Sequence, residues 1–248
     1  MQSTTRSLTI LSTLAKHPDG VGVSELAAEV GLPGSSLHRA LRSLLSHEWV
    51  WQDPTTRKYC LGVGLLQLSS PLIENGLKRL HQRAHMLLAD LSQRTHADTF
   101  LAVLMQDKVL NLESVALADD CRVAVTIYSG QKVPLHCGAS AKAILAFMPS
   151  PNLLRLIERY PFRPYTMNTI FSLEEFLSNL AVVRDEGYAL CNQEYQIGVT
   201  AMAVPLFDRD GNPYASFGVC AASQRFEGKF KKIVNKYLRE SANSLSFL

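Results

Sequence analysis

This 248-residue chain has no long hydrophobic run. The longest runs, such as Ala143 to Met148, fall far short of the ~18 apolar residues that cross a bilayer, so no helical membrane span is expected. A Cys-x-x-Cys pair is also missing. The five cysteines (Cys60, Cys121, Cys137, Cys191, Cys220) are odd in number and far apart, which argues against a disulfide framework and against a zinc site. They read instead as small buried apolar residues with reduced thiols. Charge of one sign is scarce as well: 25 Lys and Arg against 22 Asp and Glu leave +3, so a polyanionic partner has to be argued from where the charges sit. There is no internal repeat and no low-complexity segment. With 47% hydrophobic and 19% charged residues, disordered, collagen-like and coiled-coil classes are excluded, and the length fits one large domain or two small ones. The stretch Leu8 to Leu14 is interrupted by Thr9, Ser12 and Thr13 and no small-residue cleavage site follows it, so a secretory signal is not expected and a cytoplasmic location is.

What is present falls into two segments. Residues 1–62 read as three short helices and a hairpin. The first helix, from about Thr5 to Lys16, carries Leu8, Leu11, Leu14 and Ala15 on one face and ends at His17-Pro18-Asp19-Gly20. The second opens with Ser24 as N-cap and Glu25 in its first turn, and stops at Gly31. Pro33 fits the first position of a third helix, where its missing N–H costs nothing. Leu37, Ala40, Leu41, Leu44 and Leu45 form that helix's buried stripe, which leaves Ser35, Ser36, His38, Arg39, Arg42, Ser43 and Ser46 outward: a polar and basic face without an acid. A hairpin follows, with strands Trp49–Gln52 and Arg57–Leu61 joined through Asp53-Pro54-Thr55-Thr56. Helix, tight Gly turn, helix with an acid-free face and basic hairpin is the layout of a winged helix-turn-helix. Residues 1–62 hold six Lys or Arg and five Asp or Glu, yet Arg39, Arg42, Arg57 and Lys58 all fall on the third helix and the wing. The competing reading is a solvated face on a helical module used for protein contacts.

Beyond residue 62 the pattern changes. Residues 63–76 read as a linker helix broken near Pro71 and Gly76, and residues 77–248 as an antiparallel-rich α/β domain. The stripe Leu77, Leu80, Ala84, Leu87, Leu88 and Leu91 opens that domain, and its leucines either join subunits or dock the helix. His81 and His85 stand at i and i+4 there and share a helix face, but no third ligand stands at a supporting spacing, so they read as a surface pair and no metal is expected. Strands are expected over Thr99–Met105, Val109–Val115, Arg122–Ile127, Lys132–Leu135, Ala189–Gln193, Thr200–Phe207 and Tyr214–Ala221, the last two joined by the Asp210-Gly211 turn. Helices are expected over Ser140–Met148, Asn152–Arg159, Ser172–Glu186 and Phe226–Leu245.

The whole chain resembles bacterial transcription regulators of the IclR family. The resemblance is carried by Ser24-Glu25-Leu26-Ala27, Gly31-Leu32-Pro33, Ser35-Ser36-Leu37-His38-Arg39-Ala40-Leu41 and Tyr59-Cys60-Leu61-Gly62 in the first segment. In the second it rests on Leu135-His136 with Ala141-Lys142-Ala143, Val183-Arg184-Asp185-Glu186-Gly187-Tyr188-Ala189, Glu194-Tyr195-Gln196-Ile197-Gly198-Val199 and Ala203-Val204-Pro205-Leu206-Phe207. It implies an α+β two-domain protein: a winged domain on double-stranded operator DNA, a linker helix that dimerises, and a GAF-like domain that binds a small effector, assembled as a homodimer or a dimer of dimers. It also implies an effector carboxylate held by the backbone amides of Ala139 and Ser140, a turn feeding a helix N-terminus being a natural anion site. Further pocket positions map to Cys191, Val199, Ala201, Gly218 and Cys220, with Val125 and Val133 as apolar walls. These residues offer few strong donors or acceptors, which favours a larger, partly aromatic carboxylate over a small hydroxy- or keto-acid. Gly34 replaces a residue that is usually polar or basic beside the DNA. Such regulators commonly control neighbouring catabolic operons.

Two rival functions draw on the second domain. His136 beside Cys137 suggests a thiol enzyme, but adjacent strand residues point to opposite faces, and no Ser/His/Asp set, phosphate-cradling loop or carboxylate pair is present, so no enzyme and no cofactor are expected. A redox-sensing regulator using Cys137, Cys191 or Cys220 is the stronger rival, since a thiol in an effector pocket is accessible.

Overall fold

The structure, a computed structural model, describes residues 3–72, 78–116, 127, 129–158 and 160–245. It divides into two compact units, Met1–Lys78 and Arg79–Leu248.

In the first unit, helices α1 (Ser3–Leu14), α2 (Val23–Val30) and α3 (Gly34–Ser46) pack Ile10, Leu14, Leu26, Leu37 and Leu41 into one core. Strands β1 (Val50–Gln52) and β2 (Tyr59–Leu61) form the hairpin, and Val21 bridges to Tyr59, which ties the α1–α2 connection to it. Helix α4 (Gly64–Leu72) ends the unit. Two helix starts differ from the sequence expectation. Gly22, not Ser24, is the N-cap of α2, and no side chain caps it; Ser24 is already helical and exposed. Pro33 is the N-cap of α3 rather than its first residue, with an extended backbone. Gly31 closes α2 in the left-handed region at φ 63°, a conformation that Cβ-bearing residues adopt at a cost. That turn sets the angle at which α3 leaves.

The second unit is a six-stranded antiparallel sheet between two helical layers. Its strands are β3 (Asp98–Met105), β4 (Lys108–Val115), β5 (Lys132–Val133), β6 (Ala189–Asn192), β7 (Val199–Phe207) and β8 (Pro213–Ala222), in the order β5-β4-β3-β8-β7-β6. On one face lie α6 (Ala139–Leu145), α7 (Ser150–Ile157) and α8 (Leu173–Glu186), packed on Phe100, Ala102 and Ala203. On the other lie α5 (Lys78–Thr95) and α9 (Lys229–Leu245), which Arg83 joins by donating to the Ser244 carbonyl at 3.0 Å. Leu80, Ala84, Leu88 and Leu91 are buried within this single chain, so the stripe expected on α5 docks the helix; Leu77 lies outside the described residues. The expected strand over 122–127 also falls on residues outside the description, apart from Ile127.

One of the sheet's two register irregularities re-aims two polar side chains. In the β3–β4 register Leu101 pairs with Glu113 and Ala102 with Asn111, so Leu112 is an extra residue, a β-bulge. Strict alternation would place Asn111 and Glu113 on one face. The bulge sends Asn111 to the α6 face and Glu113 to the α5 face.

Candidate functional site

The first unit presents the polar face read from the sequence. Leu37, Leu41 and Leu44 are buried under α3, while Ser35, His38, Arg39 and Arg42 are exposed and Ser36 is half-buried. The hairpin turn is locked by Asp53: its Oδ1 accepts from the Thr55 amide at 2.7 Å and the Thr56 amide at 2.9 Å. Those amide bonds hold the Asp53 carboxyl below its ordinary value, with Thr56 contributing most. Arg57 and Lys58 follow, both exposed, Arg57 at a positive φ of 60°. Among the described residues no carboxylate forms an ion pair with Arg39, Arg42, Arg57 or Lys58. Unpaired cations on a helix and wing are free to meet phosphates and base edges.

The second unit holds a cavity of about 80 Å³, partly open to solvent, between the sheet and the N-terminal end of α6. Of the positions expected there, Val133, Ala139, Ser140, Cys191, Val199, Ala201 and Cys220 line it. Gly218 does not. A Cβ at Gly218 would lie 2.2 Å from the Phe100 ring, so the ring occupies the space that the sequence reading gave to a ligand. Phe100 is itself a wall of the cavity. Val125 lies outside the described residues. Sequence reasoning missed Asn111, Ile127, Gln131, Lys132, Tyr195 and Gln196, which also line the cavity and make it less poor in polar groups than expected. Asn111 is buried and donates to Gln131 Oε1 at 3.1 Å.

Beneath the cavity floor lies a buried charge pair. Lys142 on α6 is fully buried, and its ammonium donates to Glu194 Oε1 at 2.7 Å, to Oε2 at 2.8 Å and to the Leu190 carbonyl at 2.7 Å. Burial raises the Glu194 carboxyl above its ordinary value and Lys142 opposes that shift. Thr169 Oγ1 donates to the Glu194 carbonyl at 2.6 Å and Thr166 Oγ1 to the Gln193 carbonyl at 2.7 Å. Together these bonds fix the segment that carries Tyr195 and Gln196.

The thiols are not arranged for chemistry. Burial pushes Cys191 up to about 11 and raises Cys137 and Cys220 further, so none is a thiolate near neutrality. His136 packs against the Tyr160, Phe162 and Tyr165 rings and its Nε2 bonds the Arg163 carbonyl at 2.9 Å. Burial also lowers its pKa, so it is a neutral core histidine.

Comparisons with known proteins agree with both halves. Residues 3–54 match the family model "IclR helix-turn-helix domain", and residues 77–247 match "Bacterial transcriptional regulator IclR C-terminal". The HTH-type transcriptional regulator XynR of Escherichia coli is 28% identical over 248 residues, 99% of this chain and 96% of that protein. An IclR homolog from Microbacterium hydrocarbonoxydans, solved in complex with 4-hydroxybenzoate, superposes with a TM-score of 0.79 over 98% or more of both chains at 22% identity. The inducer-binding domain of a PobR double mutant from Acinetobacter, solved with 3-hydroxybenzoic acid, covers 65% of this chain and 94% of its own at 26% identity and a TM-score of 0.59.

Proposed function

Because the chain belongs to the IclR family of bacterial transcriptional regulators, we propose that its hold on operator DNA is controlled by a small carboxylate of aromatic type bound in the second unit. It is a DNA-binding regulator and not an enzyme. The proposal adds the effector's chemistry, the residues that meet DNA and effector, action in the cytoplasm as a homodimer or dimer of dimers, and control of a catabolic operon.

The observation that carries the effector reading is the cavity's mixed lining. Phe100, Ile127, Val133, Val199 and Ala201 give it apolar walls, and the Ala139 and Ser140 amides stand at the first turn of α6, where backbone donors have no intrahelical acceptor. Lys132, also on the wall, adds a cation. Two similar folds were solved with hydroxybenzoates. On the DNA side, α3 presents Ser35, Ser36, His38, Arg39 and Arg42 to the major groove, and Arg57 and Lys58 hold the backbone or minor groove.

The deciding experiment measures operator release and calorimetric binding with benzoate, 4-hydroxybenzoate, pyruvate and glyoxylate. Aromatic acids are expected to bind and to change DNA affinity. Tight pyruvate or glyoxylate binding with none by the aromatic acids would overturn the effector assignment. The redox alternative loses support from the raised thiol pKa values.

A further inference from the structure

We propose that the Asn111 carboxamide reads a ring hydroxyl on the effector, so that the cavity selects a hydroxylated aromatic carboxylate over a plain one. This specificity rests on the proposed aromatic carboxylate effector and names the side chain that decides between ligands of that class. Asn111 lines the cavity from β4 and is only 6% exposed. Its cross-strand partner is Ala102, and both Ala102 and Val109, two residues before it, belong to the apolar cluster under α6. An amide in such surroundings costs free energy unless its polar atoms are paired.

Half of that pairing is supplied from within. The Asn111 amide donates to the Gln131 carbonyl at 2.9 Å, and its carbonyl accepts from the Gly130 amide at 2.7 Å, so the backbone is fully engaged. Nδ2 donates one proton to Gln131 Oε1 at 3.1 Å, which fixes the direction of the carboxamide. That leaves Oδ1 and the second Nδ2 proton, neither of which has a hydrogen-bond partner among the described residues. An acceptor beside a donor calls for a group that can do both. An ionised carboxylate brings no proton and would meet Oδ1 as a second acceptor, while a bare ring edge leaves both atoms unpaired. A phenolic hydroxyl can donate to Oδ1 and accept from Nδ2. The rest of the lining offers little competition: Ser140, also buried, stands at the carboxylate end, and Lys132, Tyr195 and Gln196 are exposed.

The test is calorimetry on the full-length protein with benzoate, 3- and 4-hydroxybenzoate, and 3- and 4-methylbenzoate. A methyl group matches a hydroxyl in size but makes no hydrogen bond, so it separates pairing from fit. One of the hydroxybenzoates is expected to bind at least about tenfold more tightly than benzoate and than the methylbenzoate substituted at the same ring position. Asn111→Leu, close in volume and without polar atoms, should bring that hydroxyl-to-methyl ratio down to about 1 while leaving benzoate affinity within about threefold. If the leucine variant does not fold, Asn111→Val, smaller and suited to a strand, carries the same comparison. Methylbenzoates that bind the unaltered protein as tightly as hydroxybenzoates would overturn the assignment and leave the aromatic effector standing. So would a ratio that survives the loss of the amide. Failure of all five acids to bind would remove the aromatic effector, and the assignment with it.

Discussion

The two functional regions are built by opposite means. The proposed DNA face is a run of exposed side chains on one helix and one turn, its cations without ion pairs among the described residues; the cavity is a concave space walled by β3, β4, β5, β6, β7, β8 and the start of α6. Local pattern encodes the first: an acid-free outer face on α3 implies its own orientation once Leu37, Leu41 and Leu44 are known to be inside. The cavity depends on register between strands more than a hundred residues apart, such as Phe100 beside Gly218, and no periodicity within either strand reports which of the two fills the space.

If the contrast is right, salt separates the regions most strongly. With about four basic contacts per subunit on two chains, log K for operator binding should fall against log salt with a slope of about −6 to −8, a loss on the order of 10³–10⁵ between 50 and 200 mM. Effector affinity in the same buffers should change far less, because its contacts are short-range and partly buried. A slope near zero for DNA would break the assignment of Arg39, Arg42, Arg57 and Lys58.

Gly218→Leu tests the buried region next. A Cβ at that position would lie 2.2 Å from Phe100 Cζ and 2.8 Å from the Met202 carbonyl oxygen, and the carbonyl, being backbone, yields only if its strand moves. The expected outcome is a destabilisation of about 3 kcal/mol or more, seen as a drop in the midpoint of thermal or urea unfolding. Unchanged stability with lost effector response would instead place Gly218 on an open wall.

The thiols offer a smaller and reversible contrast. Cys191 is held at about 11 against an ordinary 9.0, so at pH 8 its thiolate fraction, and its rate of alkylation by iodoacetamide, should be about 100-fold below a free cysteine's. Because the folded value is the raised one, the associated stability is complete below pH 9 and drains as the pH rises through about 11. Rapid modification of Cys191 at neutral pH would revive the redox-sensor reading.

How much was legible divides along the same line. The order of helices and strands could be read wherever a period was sustained over several turns, as in Leu80, Ala84, Leu88 and Leu91, or where an apolar run follows a turn signal, as β8 follows Asp210-Gly211. Ends were displaced where backbone, not side chain, makes the cap, as at Gly22 and Pro33. Of the cavity, the residues on β6, β7 and α6 came from resemblance, whereas Asn111, Gln131 and Lys132 did not, because a bulge at Leu112 and a two-residue strand decide which way they face.

The smallest effect concerns Gly34, which the family resemblance reads as a departure beside the DNA. Gly34 is the first residue of α3, exposed, with no heavy atom within 4 Å of where its Cβ would lie and with no left-handed φ to forbid a side chain. Gly34→Lys should therefore fold as the parent does and gain up to roughly 1 kcal/mol of helix stability, since glycine is the poorer helix former. Its ammonium would stand at the N-terminal end of the proposed recognition helix, beside the proposed contacts Ser35 and Ser36. One added phosphate contact per chain should steepen the salt slope by about 1 for each chain on the DNA and tighten all sequences alike, because a phosphate contact carries no base preference. A Gly34→Ala control separates helix stability from charge: it should raise the unfolding midpoint without changing the slope. If lysine leaves the slope where it was, the N-terminus of α3 points away from the backbone, and the docking of Arg39 and Arg42 into the major groove has to be redrawn.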